Sequence, residues 1–282
     1  MKISTTTADT RSACRAARLA GQRLGLVPTM GALHEGHLSL VRTARAQSGF
    51  VVVSIFVNPL QFGPSEDLAK YPRNFERDRG LLEKVGVDLI FAPSVAEMYA
   101  SAGITYVNVE GLSERLDGQS RPGHFRGVTT VVSKLFHIVE PDLAVFGQKD
   151  AAQVAIIQRM VRDLNIPVEI VVAPIVRESD GLAMSSRNAY LDPQQRKQAL
   201  VLSRSLHRVE ELFQRGKRSA AELIAAGQSV FAEEPAVRID YLSVVDPESL
   251  EPIQEISRIA LVAVAAYVGS TRLIDNVVLQ RG

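Results

Sequence analysis

Through roughly its first 175 residues the chain alternates short apolar runs with longer stretches of helical periodicity, and no other feature constrains its fold as much. Residues 23–27 are an apolar run ending at Pro28; a Gly-bearing loop follows, and residues 36–47 carry Leu38, Leu40 and Val41 at helical spacing. Runs at 50–57, 87–91, 143–146 and 168–172 read as further strands, and 75–85, 128–139 and 151–164 as further helices. Repeated βα units predict an α/β fold: a Rossmann-like parallel sheet covered by helices on both faces. After about residue 175 the order changes. Two helices over 194–215 and 220–233 precede three runs, 237–245, 259–267 and 273–278, with no helices between them. That segregation predicts a smaller C-terminal α+β lid domain with an antiparallel sheet, dividing the chain into residues 1–175 and 176–282. A length of 282 residues accommodates two such cores.

Charge narrows the partners. With 32 basic and 31 acidic residues the net charge is +1, so no global field draws the chain to nucleic acid or an anionic membrane, and any anion must be held locally. The apolar run at 259–268 is far too short to span a bilayer and reads as a buried strand. The one cysteine, Cys14, cannot form an internal disulfide, and the first thirty residues hold no apolar stretch of signal-peptide length. A reducing, cytoplasmic compartment is expected.

The segment richest in chemistry is VPTMGALHEGHLSL, residues 27–40. His34 and His37 fall on one side of a first helical turn, with Gly36 where the chain turns into the helix. Amides at a helix start favour an anion, and two imidazoles beside them would add directed donors to phosphate oxygens; two surface histidines are the alternative. A zinc-peptidase helix is excluded, because that motif needs two residues between Glu and the second His and here there is one. The loop also lacks the dinucleotide fingerprint and the Gly-Lys-Ser/Thr ending of a P-loop. A second segment, FGQKD at 146–150, lies where a strand ends and a helix begins, the usual ligand edge of an open parallel sheet. There Lys149 is either a solvated lysine or a cation held over phosphate. A third, Met184-Ser185-Ser186-Arg187, is a polar loop after Asp180-Gly181 that could act as a mobile phosphate clamp.

His34 and His37 after a first strand resemble the HIGH motif of the nucleotidyltransferase and class I aminoacyl-tRNA synthetase superfamily, and PTMGALHEGHLSLV is similar to one family in particular, the pantothenate synthetases (pantoate–β-alanine ligases). Further blocks agree in order: FVNPLQF at 56–62, YPR at 71–73, RPGHFRG at 121–127, FGQKD at 146–150 and GLAMSSRNAYL at 181–191. Met184 to Arg187 resemble the superfamily's KMSKS loop, with Arg187 where a lysine often stands. The resemblance implies an AMP-forming ligase that condenses (R)-pantoate with β-alanine through a pantoyl adenylate. It implies ATP contacts from Met30, Gly31, Ala32, Leu33, His34, Glu35, Gly36 and His37, from Gly147, Gln148, Lys149 and Asp150, from Val176, and from Met184, Ser185, Ser186 and Arg187. His37 is implied as proton donor, with His34, Lys149 and Arg187 stabilising charge. Gln61 and Gln153 are implied to hold pantoate, Gln61 also lying near β-alanine.

Amides suit that task, since a bidentate arginine would blunt the carboxylate as a nucleophile. Mg²⁺ is expected to arrive with ATP, held mainly through its phosphates, with Asp78 a possible outer contributor, and a homodimer is the family expectation. Another adenylyl or cytidylyl transferase of the superfamily is the nearest alternative function; it would share the helix-start site but not the two glutamines. Asp150 could instead serve only to cap its helix.

Overall fold

The structure is a computed structural model, and it describes residues 1–64, 66–99 and 103–281. The chain forms two compact units. The first comprises Met1–Glu114, Arg121–Gly147 and Ile156–Pro174. In chain order it begins with β1 (Lys2–Ser4), α1 (Thr7–Leu19), β2 (Leu24–Thr29), α2 (Glu35–Gln47) and β3 (Phe50–Ile55). Next come α3 (Phe75–Lys84), β4 (Leu89–Phe91) and α4 (Val95–Met98). After a short α5 (Asp117–Ser120), which belongs to the second unit, come α6 (His124–Val139), β5 (Leu143–Gly147), α7 (Ala151–Asp163), whose first residues also belong to the second unit, and β6 (Glu169–Ala173).

The six strands make one sheet in the order β1-β4-β3-β2-β5-β6, every pair parallel. The predicted α/β architecture is therefore present. Strands buried on both faces read as continuous apolar runs rather than alternating ones, as in VVVS of β3. Val27, Val41, Val53, Ile90 and Val145 form the heart of this core, each fully buried. Strand order reverses direction at β2, which has β3 on one side and β5 on the other. Ligands of open α/β sheets bind at such a switch, beyond the carboxyl ends of the strands. The chain leaves β2 into residues 30–34 and leaves β5 into residues 148–150.

Two local readings differ from the sequence expectation. β1 pairs with β4 in register Lys2↔Leu89 and Ser4↔Phe91; three residues are too few to display a period, so the strand is visible only through its partner. Helix α6 begins at His124, four residues before the expected start, because Gly123 adopts φ +82° and serves as its N-cap.

The second unit comprises Ile175–Gly282 with two excursions, Arg115–Ser120 and Gln148–Ala155; of these, Gly282 lies outside the described residues. It holds α8 (Pro193–Gln214), α9 (Ala220–Phe231) and an antiparallel sheet of β7 (Val237–Val245), β8 (Ile259–Val268) and β9 (Thr271–Gln280), in that order. Asp192 caps α8, accepting from the amides of Gln194 and Gln195 at 2.8 Å, with Pro193 as the first helical residue. Leu206 and Val209 of α8 and Leu223 of α9 share a core with Val262 and Val264 of the central strand β8.

The excursions have specific causes. Arg272 donates to Asp117 at 2.7 Å and to Asp240, which also accepts from Ser120 at 2.7 Å. Asp240 sits where the β7–β8 register shifts between Ile239 and Tyr241, an irregularity that re-aims the side chain. The expected division at 175/176 follows chain order and leaves both segments on its first side. Among the described residues no helix is long and apolar enough to cross a membrane.

Candidate active site

In the first unit, the loop from β2 to α2 is built on one buried carboxylate. Gly31 has φ +79° and Ala32 φ +51°, so the chain makes a left-handed turn that points successive amides inward. Asp78 of α3, 1 % exposed, accepts from Ala32 N at 2.8 Å through Oδ2 and from Leu33 N at 2.9 Å through Oδ1. A Cβ on Gly31 would come within 3.0 Å of Asp78 Oδ2 and 3.1 Å of Ile55, so this turn admits only glycine. The role expected of Asp78 shifts accordingly. Both its oxygens hold the loop that carries Met30 to His34.

His34 caps α2 with an extended backbone, and His37 occupies the third helical position, where a capping box usually has Glu or Gln. The amide of His34 faces His37 Nδ1 at 3.4 Å, and the two rings lie 4.1 Å apart between centroids, tilted by 38°. With Nδ1 the acceptor, the neutral His37 ring carries its proton on Nε2 and presents a donor away from the cap. Glu35, the one acidic side chain in this first turn, is ion-paired with Arg42, which offsets a charge that would otherwise repel an anion. Gly36 and Glu35 contribute amides with no carbonyl one turn back.

Gln61 closes a 3-10 turn, Pro59–Gln61, and is 8 % exposed. Its Oε1 accepts from Asn58 Nδ2 at 3.2 Å, which leaves Nε2 as the outward donor, 2.9 Å from the thioether of Met30. Asn58 is itself held: Oδ1 accepts from the Tyr99 hydroxyl at 2.8 Å and from Leu60 N at 3.3 Å, while Nδ2 also donates to Gly127 O at 3.0 Å. Burial pushes the Tyr99 phenol up to about 12, so it stays a donor at neutral pH.

The backbone of Gln61 is fixed as tightly. His124 Nδ1 donates to Gln61 O at 2.7 Å, Arg121 Nη2 donates to the same oxygen at 3.3 Å, and Arg121 Nη1 donates to His124 Nε2 at 3.1 Å. Arg121 also pairs with Glu66. Burial alone would raise the Glu66 carboxyl, but the Arg121 guanidinium outweighs it and holds the group below its usual range. Beside this region a cavity of about 310 Å³ is lined by Met30, Gly31, Phe56, Arg73, Phe75 and Asp78 among others, a size that fits a small organic acid.

The remaining expected site residues lie at the end of β5 and in the second unit. Gly147 ends β5, and a Cβ there would meet Leu40 at 3.8 Å, an ordinary contact. Gln148, Lys149 and Asp150 form a 3-10 turn that runs into α7, on which Gln153 is half-buried at the third position. Val176 O accepts from Met184 N at 3.0 Å, closing a hairpin in which Arg177 bridges Ala183. Ser185 then caps a 3-10 turn, Ser186–Tyr190, accepting from Arg187 N at 3.2 Å. Glu178 steadies this segment by accepting from Asn188 at 2.7 Å and pairing with Arg196, which holds its carboxyl below the usual range.

The first unit thus brings together Met30 to His37 and Gln61, whereas Lys149, Asp150, Gln153, Val176 and Met184 to Arg187 belong to the second. Asn58, Tyr99, Arg121, His124 and Gly127 escaped sequence reasoning as supports of Gln61. The pair Asn58-Pro59 did offer a signal, a helix-capping residue followed by proline at the first helical position. Among the described residues, no group of three or more His, Cys, Asp or Glu side chains could hold a metal ion.

The family model described as pantoate-beta-alanine ligase matches residues 2–278. The pantothenate synthetase of Koribacter versatilis is 62 % identical over 280 residues, 99 % of this chain and 96 % of that protein. The crystal structure of pantothenate synthetase from Thermus thermophilus superposes with a TM-score of 0.93 at 49 % identity, covering 98 % of this chain and 99 % of the other. Pantoate-beta-alanine ligase from Francisella tularensis, solved with beta-gamma ATP and beta-alanine, gives 0.81 at 33 % identity, covering 98 % and 97 %. Matched end to end in sequence and fold, with the two-histidine helix start and the buried glutamine in place, the chain belongs to the pantoate-beta-alanine ligase family.

Proposed function

We propose that this chain joins pantoate to β-alanine in two steps, ATP being cleaved to AMP and diphosphate, with the residues described above in distinct roles. The pantoate carboxylate attacks the α-phosphorus of ATP and expels diphosphate; the amine of β-alanine then attacks the acyl carbon of the pantoyl adenylate and releases AMP. The observation that carries the assignment of residues is the Gln61 carboxamide. Asn58 fixes its orientation, and its Nε2 donates to the thioether of Met30, a weak acceptor that a substrate oxygen readily replaces. An amide donor there orients the carboxylate while leaving its charge available for attack. Gln153 serves as the second pantoate contact, a role supported by family resemblance.

In the first step negative charge builds on the α-phosphoryl oxygens and the leaving diphosphate. The amides at the start of α2 and the Nε2 proton of His37 favour that charge, His34 beside it adds a second imidazole, and Lys149, Arg187 and the hydroxyls of Ser185 and Ser186 act on the phosphates. The residues fit Mg²⁺ carried by the nucleotide rather than caged by protein: the buried carboxylate nearest the loop, Asp78, already accepts two amides. Bound with ATP, Mg²⁺ supplies Lewis-acid neutralisation of the phosphate oxygens. A cytoplasmic homodimer completes the reading, on the strength of family membership and the single buried cysteine.

The test is product analysis with purified protein, ATP, Mg²⁺, pantoate and β-alanine, leaving out each acid in turn. AMP and an amide are expected only when both acids are present. A product that retains the nucleotide would instead identify a nucleotidyltransferase.

A further inference from the structure

Successive residues of a strand point to opposite faces, and on β9 the neighbours Asp275 and Asn276, 2 % and 3 % exposed, grip two different segments. The Asn276 carboxamide is committed to one turn. Its Nδ2 donates to the carbonyls of Gln148 and Lys149, each at 2.9 Å, and its Oδ1 accepts from Gln148 Nε2 at 3.0 Å. Asp275 accepts from Arg177 through both carboxylate oxygens, at 2.6 and 3.0 Å. Arg177 donates in turn to Gly181 O at 3.1 Å, pinning the hairpin that ends at Met184, directly before Ser185, Ser186 and Arg187. Buried polar side chains on a strand are costly unless fully bonded. Both of these are bonded to the backbone or the anchor of a phosphate-handling segment, and neither belongs to the sequence blocks that carry the family resemblance.

We propose that Asp275 and Asn276 are positioning residues for the adenylation step: Asn276 places Lys149, and Asp275, through Arg177, places the 184–187 loop. One dipeptide on a rigid strand thereby sets both cationic segments in a common frame. The proposal rests on the reading that Lys149 and Arg187 act on the ATP phosphates, and it predicts that the pair matters to the first half-reaction and not to the second.

Two rates separate the halves: pantoate-dependent exchange of labelled diphosphate into ATP, and transfer of synthetic pantoyl adenylate to β-alanine. Asn276→Asp keeps the shape but turns the double donor into a carboxylate facing two carbonyls. It should slow exchange by about 10- to 100-fold, the scale of an ångström of misplacement, with pantoate KM and the transfer rate unchanged. Asn276→Ser, which retains one donor, should fall between. Equal losses in both halves that track a lowered thermal midpoint would assign a structural role only and overturn the proposal.

In a Lys149→Ala background, Asn276→Asp should add little further loss, whereas a full additive loss would show that it does not act through Lys149. Asp275→Asn against Arg187→Ala tests the second arm in the same way. Exchange at the unaltered rate in Lys149→Ala alone would instead remove the phosphate reading, and the proposal with it.

Discussion

His37 occupies a capping position in α2, and the same geometry that caps the helix sets its tautomer. In the role proposed for His37, its Nε2 donor is held in place before the reaction, so His37→Ala should lower kcat by about 10²-fold or more, the scale of removing one such donor. Diphosphate exchange at the unaltered rate would contradict this. Gln61→Glu replaces the buried donor with a like charge facing the substrate carboxylate, and should raise KM for pantoate by about tenfold or more, given that hydrogen bonds to charged groups contribute roughly 1.5–3 kcal/mol. An unchanged KM in steady-state kinetics would count against it. Asp78→Asn keeps one acceptor for the two amides of Ala32 and Leu33, and is expected to cost about 1–3 kcal/mol of stability and to raise KM for ATP; chemical denaturation and kinetics check the two parts. The placing of His34 and His37 at a helix start was legible because helix-start geometry is local. The part played by Asp78 was not, because its partners, Ala32 and Leu33, lie more than forty positions earlier and a helical aspartate carries no mark of what it will accept.

Among the elements, α6 shows how packing decides a position that periodicity cannot. A Cβ on Gly127 would lie 2.2 Å from Leu60 O and 2.6 Å from Gln61 N, both backbone atoms that cannot swing aside. Gly127→Ala must therefore displace the Pro59–Gln61 turn, and should destabilise the protein by about 1–3 kcal/mol while raising KM for pantoate more than KM for ATP. Thermal unfolding and substrate kinetics check the two parts, and a larger rise in KM for ATP would contradict the second. The glycine stands in the quoted RPGHFRG block, yet nothing in a helical run says which face meets a turn sixty residues away. Among the longer helices, α2, α3, α7, α8 and α9 fall where apolar spacing and capping residues put them, while the four-residue α4 and α5 are too short to show a period. β1 escaped because an edge strand of three residues is defined by its pairing alone.

For the molecule as a whole, acid sensitivity follows from carboxylates held below their usual range. Glu66, in its pair with Arg121, and Glu178, in its pair with Arg196, both have folded values below 4.5. Their stabilisation is fully present above pH 4.5, the unfolded value, and is lost as pH falls through the depressed folded values. Urea unfolding should show stability insensitive to these groups from neutrality down to that point and declining below it, and Glu66→Gln should flatten the decline. An identical acid slope in the variant would refute the assignment.

A parallel sheet, a segregated antiparallel one and a helix start at His34 were determined by sequence alone, because periodicity, caps and glycine turns act within a few residues. Tertiary structure alone decided that Asp78 holds the loop at Ala32 and Leu33, that Asn58, Arg121 and His124 orient Gln61, and that β9 holds the Lys149 turn. Each of these depends on a buried polar group finding its partner across the fold, and burial is a property of the packed chain rather than of any segment in it.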